Sequence, residues 1–238
     1  MPADSKPTIV LVHGAFADAS GWSAVFYALT AQGYPVYAPS NPLRGVASDG
    51  EYIRKFISTI DGPVVLAGHS YGGCVITNAS AGVEAVKGLV YVSAYAPEQG
   101  ETLAAAGDLG GGSTELTKHL VVRPYPGAPE GDGDGYIDPA FFHEIFCADV
   151  DAELARFMAF AQRGVALSAL GTPSGTPGWR TIPSWYMVAG NDGAIPPAAE
   201  RAMAARAGAH TVEVASSHVA MISHPREVTD LIIAAASA

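Results

Sequence analysis

The chain has 238 residues, of which 49% are apolar and only 15% charged, and its formal net charge is −10. That length and composition suit one domain with a large core, which needs neither disulfides nor a structural metal for stability. The acidic balance argues against nucleic acid or an anionic membrane as the main partner.

Residues 8–12 form an apolar run of strand length that ends at His13-Gly14. The run is too short for the core of a signal peptide, and no later run is long enough to span a bilayer. A cytoplasmic protein without a membrane partner is expected. The next apolar segment, carrying Trp22, Val25, Phe26 and Leu29 on one face, predicts a helix capped by Asp18 or Ser20 and stopped at Gly33. A strand over 35–38 precedes a second helix striped by Ile53, Phe56, Ile57 and Ile60, with Ser48 and Glu51 as its capping box. Strands over 64–67 and 88–92 flank a third helix running from Ser70 to about Val83. Their continuous apolar character suits parallel strands buried on both faces.

The alternation breaks from about Pro97 to Ile182. Gly110-Gly111-Gly112 and residues 124–135 are loop-rich, and the acidic, glycine-rich stretch 130–135 predicts an exposed turn. Inside this insert, helices are expected over 139–146 and 150–170, and a short strand over 119–125. Its many apolar side chains (Phe141, Phe142, Phe146, Phe157, Met158, Phe160) require burial. The insert therefore reads as a helical cap over one end of the sheet, residues 97–182, with 1–96 and 183–238 as the core. The alternation then resumes, with strands over 184–189 and 211–215 and helices over 197–207 and 225–236. Gly208 ends the first of these helices and Pro225 opens the second. Alternating strands and helices imply right-handed crossovers and a mainly parallel sheet, an α/β fold.

The stretch Gly68-His69-Ser70-Tyr71-Gly72-Gly73 carries the chemistry. It holds Gly-x-Ser-x-Gly between an apolar strand and a helix, the context that makes this motif meaningful. The chain must turn sharply at Ser70, and side chains two residues either side would collide. The turn lifts the hydroxyl to a helix N-terminus, where free amides and the dipole favour developing negative charge.

A serine hydroxyl needs a base. Of seven histidines, His218 in Ser216-Ser217-His218-Val219-Ala220-Met221 follows the last strand and would face Ser70 over the sheet edge. His224, just before Pro225, is its rival. His69 adjoins the nucleophile but points away from it, and His119 and His143 lie in the cap as ordinary polar residues. The base in turn needs an acid to fix its tautomer. Asp192 in Gly190-Asn191-Asp192-Gly193-Ala194-Ile195-Pro196 follows the next-to-last strand, giving the chain order Ser, Asp, His. Glu98, after an earlier strand, is the weaker acid candidate. For an oxyanion, the loop His13-Gly14-Ala15-Phe16 offers the amide of Ala15, and the serine turn offers that of Tyr71. His13 itself is expected to bond within its loop. Trp179, at the cap's exit, either lines the pocket or packs the hinge. Cys74 and Cys147 form no Cys-x-x-Cys or Cys/His cluster and are expected to be two reduced, buried thiols.

Together these motifs resemble the α/β-hydrolase superfamily, and more narrowly the group containing plant methyl esterases, hydroxynitrile lyases and their bacterial relatives. The likeness rests on Val12-His13-Gly14-Ala15, Gly68 to Gly73, Asp192-Gly193-Ala194-Ile195-Pro196 and His218-Val219-Ala220-Met221. It implies a sheet of six parallel strands, because the two leading antiparallel strands of larger members are missing. The lyases of that group carry threonine where this chain has Gly14 and lysine where it has Val219, so both positions point to ester hydrolysis. The expected function is a serine hydrolase acting on a small to medium ester or lactone through an acyl-enzyme, with no cofactor or metal. A homodimer is left open. Rival readings are lyase or cofactor-free oxygenase chemistry on the same scaffold, or a ligand receptor.

Overall fold

The computed structural model describes residues 6–238. Residues 1–5 lie outside the described ones, so the expected lack of a signal peptide falls partly on residues outside them. The first half of the chain runs β1 (Thr8–Val12), α1 (Ser23–Ala31), β2 (Val36–Tyr37), α2 (Val46–Ile57), β3 (Val64–Ser70), α3 (Tyr71–Ser80) and β4 (Val86–Ala94). The insert follows, with α4 (Leu103–Gly107), β5 (Leu120–Arg123), β6 (Asp134–Ile137), α5 (Pro139–Phe146), α6 (Ala152–Phe160), β7 (Val165–Ala166) and α7 (Leu167–Gly171). The chain then closes with β8 (Ser184–Ala189), α8 (Pro197–Arg206), β9 (His210–Val214), α9 (Ala220–Ser223) and α10 (Pro225–Ala236).

The main sheet has six strands in the order β2-β1-β3-β4-β8-β9, and every pair is parallel. Strands β1, β3 and β8 are buried throughout, which their unbroken apolar runs require of strands covered on both faces. Helices α1 and α10 pack together on one side, and α2 and α3 on the other. The fold is thus the α/β sheet expected from the sequence, with six parallel strands. From β1 the chain steps to β2 and then returns past β1 to β3, so the loops after β1 and β3 part at a topological switch point. In open parallel sheets a crevice forms there, at the carboxyl ends of the strands.

Local chemistry departs from the sequence reading at several elements. Asp18 does act as a cap, accepting from the Ser20 amide at 2.7 Å, but it caps a short turn ahead of α1. Helix α2 has no capping box. It begins after Gly45, Ser48 donates to the Gly45 carbonyl, and the Asp49 carboxylate takes the Arg44 and Gly45 amides. Ile60 lies beyond its end, and α3 stops at Ser80.

The insert is less helical than expected. Strands β5, β6 and β7 form a second, antiparallel sheet. The stretch read as an exposed turn enters β6, because Asp134 is buried against Arg44 at 2.5 Å and Gly135 leaves room for Leu167, whose Cδ2 lies 2.8 Å from where a Cβ would stand. The helix expected over 150–170 is cut at residues 161–164. There the Gln162 side chain pairs with the Ile137 backbone, accepting its N–H at 2.9 Å and donating to its carbonyl at 2.8 Å. A Cβ on Gly164 would come within 2.6 Å of the Asp134 Cβ, so the chain crosses closely over β6. Burial of the cap aromatics is also only partial. Phe142 and Phe146 are buried, whereas Phe157 and Phe160 are 68% and 75% exposed, because α6 turns Ala155 and Ala159 inward instead. Cys74 and Cys147 are free and buried, and burial pushes both thiols up, Cys147 to about 12. Among the described residues no helix is long and apolar enough to cross a membrane.

Candidate active site

Ser70 ends β3 and sits immediately before α3, with φ 53° and ψ −124°. This is a left-handed backbone for a residue with a side chain, strained and held by its surroundings. The strain has visible causes. A Cβ on Gly68 would stand 2.5 Å from the Gly72 carbonyl oxygen, and one on Gly72 would stand 2.3 Å from the Val12 carbonyl oxygen. Gly68 therefore clears the turn itself, while Gly72 lets α3 press against β1, a contact the motif alone does not reveal. Gly14 is as tightly held, since a Cβ there would meet the Ser70 Cβ at 2.6 Å.

His218 follows β9 and Asp192 follows β8. His218 Nδ1 donates to Asp192 Oδ2 at 2.6 Å, with both side chains at most 1% exposed. The other Asp192 oxygen, Oδ1, accepts the amides of Ala194 and Ile195 at 2.7 and 2.8 Å. The carboxylate is thereby fixed in its plane, and it can hold the imidazole in one tautomer. Ser70 and His218 open onto the same cavity of about 300 Å³, together with Ala15 and Tyr71. Among the described residues neither the Ala15 nor the Tyr71 amide donates to a protein acceptor. The walls are mostly apolar, including Phe16, Leu103, Leu116, Phe146, Leu170 and Ile195. A second apolar cavity, about 540 Å³, lies across Phe16 and Phe146 from the first.

The rival residues are engaged elsewhere. His224 Nδ1 is 4.0 Å from Asp149, and Glu98 pairs with Arg180 at 2.7 Å. His119 stacks on Phe141, and His143 Nε2 donates to the Val150 carbonyl. Trp179 packs at the root of the insert, where its indole N–H donates to the Pro97 carbonyl, and does not line the cavity. His13 bonds within its own loop, as expected, and also beyond it. Its Nε2 accepts the Asn41 amide at 2.9 Å while Nδ1–H donates to Gly14 O at 2.9 Å, and burial holds it below the usual imidazole range.

Several supporting residues carry no local sequence signal. His69 is fully buried and its Nε2–H donates to the His218 carbonyl at 2.9 Å, so it clamps the loop that carries the imidazole. Burial and the nearby His218 hold His69 well below the usual range, keeping it neutral. Asp149 takes both the Ser217 amide, at 3.0 Å, and the Ser217 hydroxyl, fixing the same loop from the insert. Tyr71 donates its hydroxyl to Asp49 at 2.8 Å, tying the start of α3 to α2. The Phe146 ring meets His218 edge-on, with centroids 4.9 Å apart. Such contacts are long-range pairings between loops and helices and are invisible to periodicity. Among the described residues no group of three His, Cys, Asp or Glu could hold a metal ion.

Comparison with known proteins agrees with this architecture. A model of the alpha/beta hydrolase family matches residues 9–231. An alpha/beta hydrolase, nvfD, of Aspergillus novofumigatus is 26% identical over 248 residues, covering 95% of each chain. A carbendazim hydrolyzing esterase of Nocardioides is 34% identical over 109 residues, 40% of this chain and 45% of that protein. The crystal structure of polyneuridine aldehyde esterase superposes with a TM-score of 0.82 at 21% identity, covering 97% of this chain and 99% of the other. The chain belongs to the alpha/beta hydrolase family and is an enzyme of the hydrolase class.

Proposed function

We propose that the protein is a serine hydrolase that cleaves small to medium, largely uncharged carboxylic esters or lactones through an acyl-enzyme. The observation that carries this reading is the buried 2.6 Å bond between His218 and Asp192, on a ring that shares one cavity with Ser70. Relatives named as hydrolases and as an esterase support ester hydrolysis in general.

In this mechanism His218 Nε2 takes the Ser70 proton as the hydroxyl oxygen attacks the ester carbonyl. Asp192 stabilises the imidazolium that forms. The amides of Ala15 and Tyr71 receive the oxyanion, each worth roughly 3–4 kcal/mol of barrier. His218 then protonates the leaving alcohol, and water repeats the sequence to free the acid and restore Ser70. The apolar walls and small volume of the cavity favour an ester of modest size without charge. Hydrolysis is favoured over lyase chemistry by Gly14 and Val219, which stand where the lyases that the chain resembles carry threonine and lysine.

The test is hydrolysis of p-nitrophenyl butyrate by the wild type and by Ser70→Ala, with covalent labelling by a fluorophosphonate followed by peptide mapping. Activity lost in the variant and a label on Ser70 are expected. Undiminished turnover by Ser70→Ala would overturn the proposal.

A further inference from the structure

Glu200 lies in the first turn of α8, yet its side chain is fully buried beneath the loop that carries Asp192. One carboxyl oxygen, Oε2, accepts the Ala189 amide at 3.0 Å at the end of β8. The other, Oε1, has no hydrogen-bond partner among the described residues, and the neighbouring Asp192 meets the same strand end, its amide donating to the Ala189 carbonyl at 3.2 Å. An ionised carboxylate oxygen buried without a donor is costly, and two adjacent buried carboxylates cannot both ionise. Asp192 already has three donors, the two backbone amides and His218. Glu200 has one. The negative charge therefore belongs to Asp192 and the shared proton to Glu200.

We propose that Glu200 is a positioning residue that stays un-ionised in the folded enzyme and donates its carboxyl hydrogen to the Asp192 carboxylate. This rests on the reading of Asp192 and His218 as the acid and base of the hydrolase. Glu200 then acts as a fourth donor that fixes Asp192 from below, while adding no second negative charge beside the imidazole. Burial and the neighbouring Asp192 both push the Glu200 carboxyl well above its usual range. The other groups near it are consistent with a neutral acid. The hydroxyl of Tyr186 on β8 is committed to the Ala94 carbonyl, and Tyr95 is a partly buried phenol that desolvation and the nearby carboxyls push well above its usual range, so it is neutral. Arg201, the one cation acting on it among the described residues, is exposed and turned to Glu213.

The geometry makes glutamine the informative replacement. In Glu200→Gln the amide oxygen can keep the Ala189 bond and the amide N–H can donate to Asp192, so the variant reproduces the protonated acid. Glu200→Leu removes the donor. Leucine is expected to lower kcat about tenfold or more with little change in KM, and glutamine to restore kcat to within about threefold. The lower pKa in the kcat/KM profile of Glu200→Gln should match the wild type, because no charge has been removed. Were Glu200 ionised, its loss would lower that pKa by about one unit or more, and this result would overturn the proposal.

An infrared difference spectrum between wild type and Glu200→Gln at neutral pH reads the proton directly. The expected loss is the carbonyl band of an un-ionised carboxyl, and loss of a carboxylate band instead would refute the inference. The spectrum can be taken in a Ser70→Ala background, so it decides the state of Glu200 even where the hydrolase reading itself fails.

Discussion

Replacing Asp192 by asparagine changes a single atom, and the structure dictates how the new amide must lie. Oδ1 receives two backbone N–H groups, from Ala194 and Ile195, at 2.7 and 2.8 Å. An amide nitrogen placed there would face two donors and forfeit two hydrogen bonds, each worth about 1 kcal/mol and more when the groups are left buried and unpaired. The asparagine oxygen therefore keeps that position and its NH2 faces His218 Nδ1. A donor facing Nδ1 forces the imidazole proton onto Nε2, the nitrogen that accepts the Ser70 proton in the proposed mechanism, and the negative charge that would stabilise the imidazolium is lost as well. Together these effects should lower kcat by about ten-thousand-fold, on the order of 5 kcal/mol, with KM nearly unchanged. Steady-state hydrolysis of p-nitrophenyl butyrate measures this. Thermal unfolding checks that the loop remains in place, because both backbone bonds survive. A variant that stays within about tenfold of wild-type kcat would refute the argument that Asp192 sets the tautomer.

Three other outcomes are expected. Gly14→Ala should fold but lose about a hundredfold or more in kcat, because its Cβ would press on the Ser70 Cβ from 2.6 Å, and wild-type kinetics would contradict the tight packing of the first loop on Ser70. Phe146→Ala should destabilise the protein by about 3–5 kcal/mol and, by joining the two cavities, shift the preferred p-nitrophenyl ester to a longer acyl chain, with an unchanged preference counting against Phe146 as the partition. The folded-state pKa of His69 is depressed by burial below its unfolded value of about 6.5. Its contribution to stability is therefore fully present above that value and lost as pH falls from there through the folded pKa. Melting temperatures measured across that window should fall less steeply in His69→Gln than in the wild type, and equal slopes would show that His69 does not stay neutral.

The parts of the fold legible in the sequence are those governed by local forces. Continuous apolar runs marked β1 and β3 as strands buried on both faces. The Gly-x-Ser-x-Gly turn was readable because its constraint is steric and short-range, although Gly72 proves to be fixed by the Val12 carbonyl of a different strand. The insert was read less well. Apolar periodicity there suggested one long helix and wholesale burial of aromatics, whereas a glutamine side chain standing in for a strand partner and a glycine crossing over Asp134 decide its path.

By itself the sequence determined an alternating α/β architecture, a serine on a strained turn, and a short set of imidazoles and carboxylates at strand ends. Only the tertiary structure decided which of them meet. His218 faces Asp192 while His224 faces Asp149, and Glu200, written in an ordinary polar helix segment, is buried beneath the Asp192 loop. The physical reason is one of range. Backbone sterics and hydrophobic periodicity act over a few residues and are written locally, but a hydrogen bond between loops, and the burial that sets a carboxyl's charge, exist only once distant strands have been laid side by side.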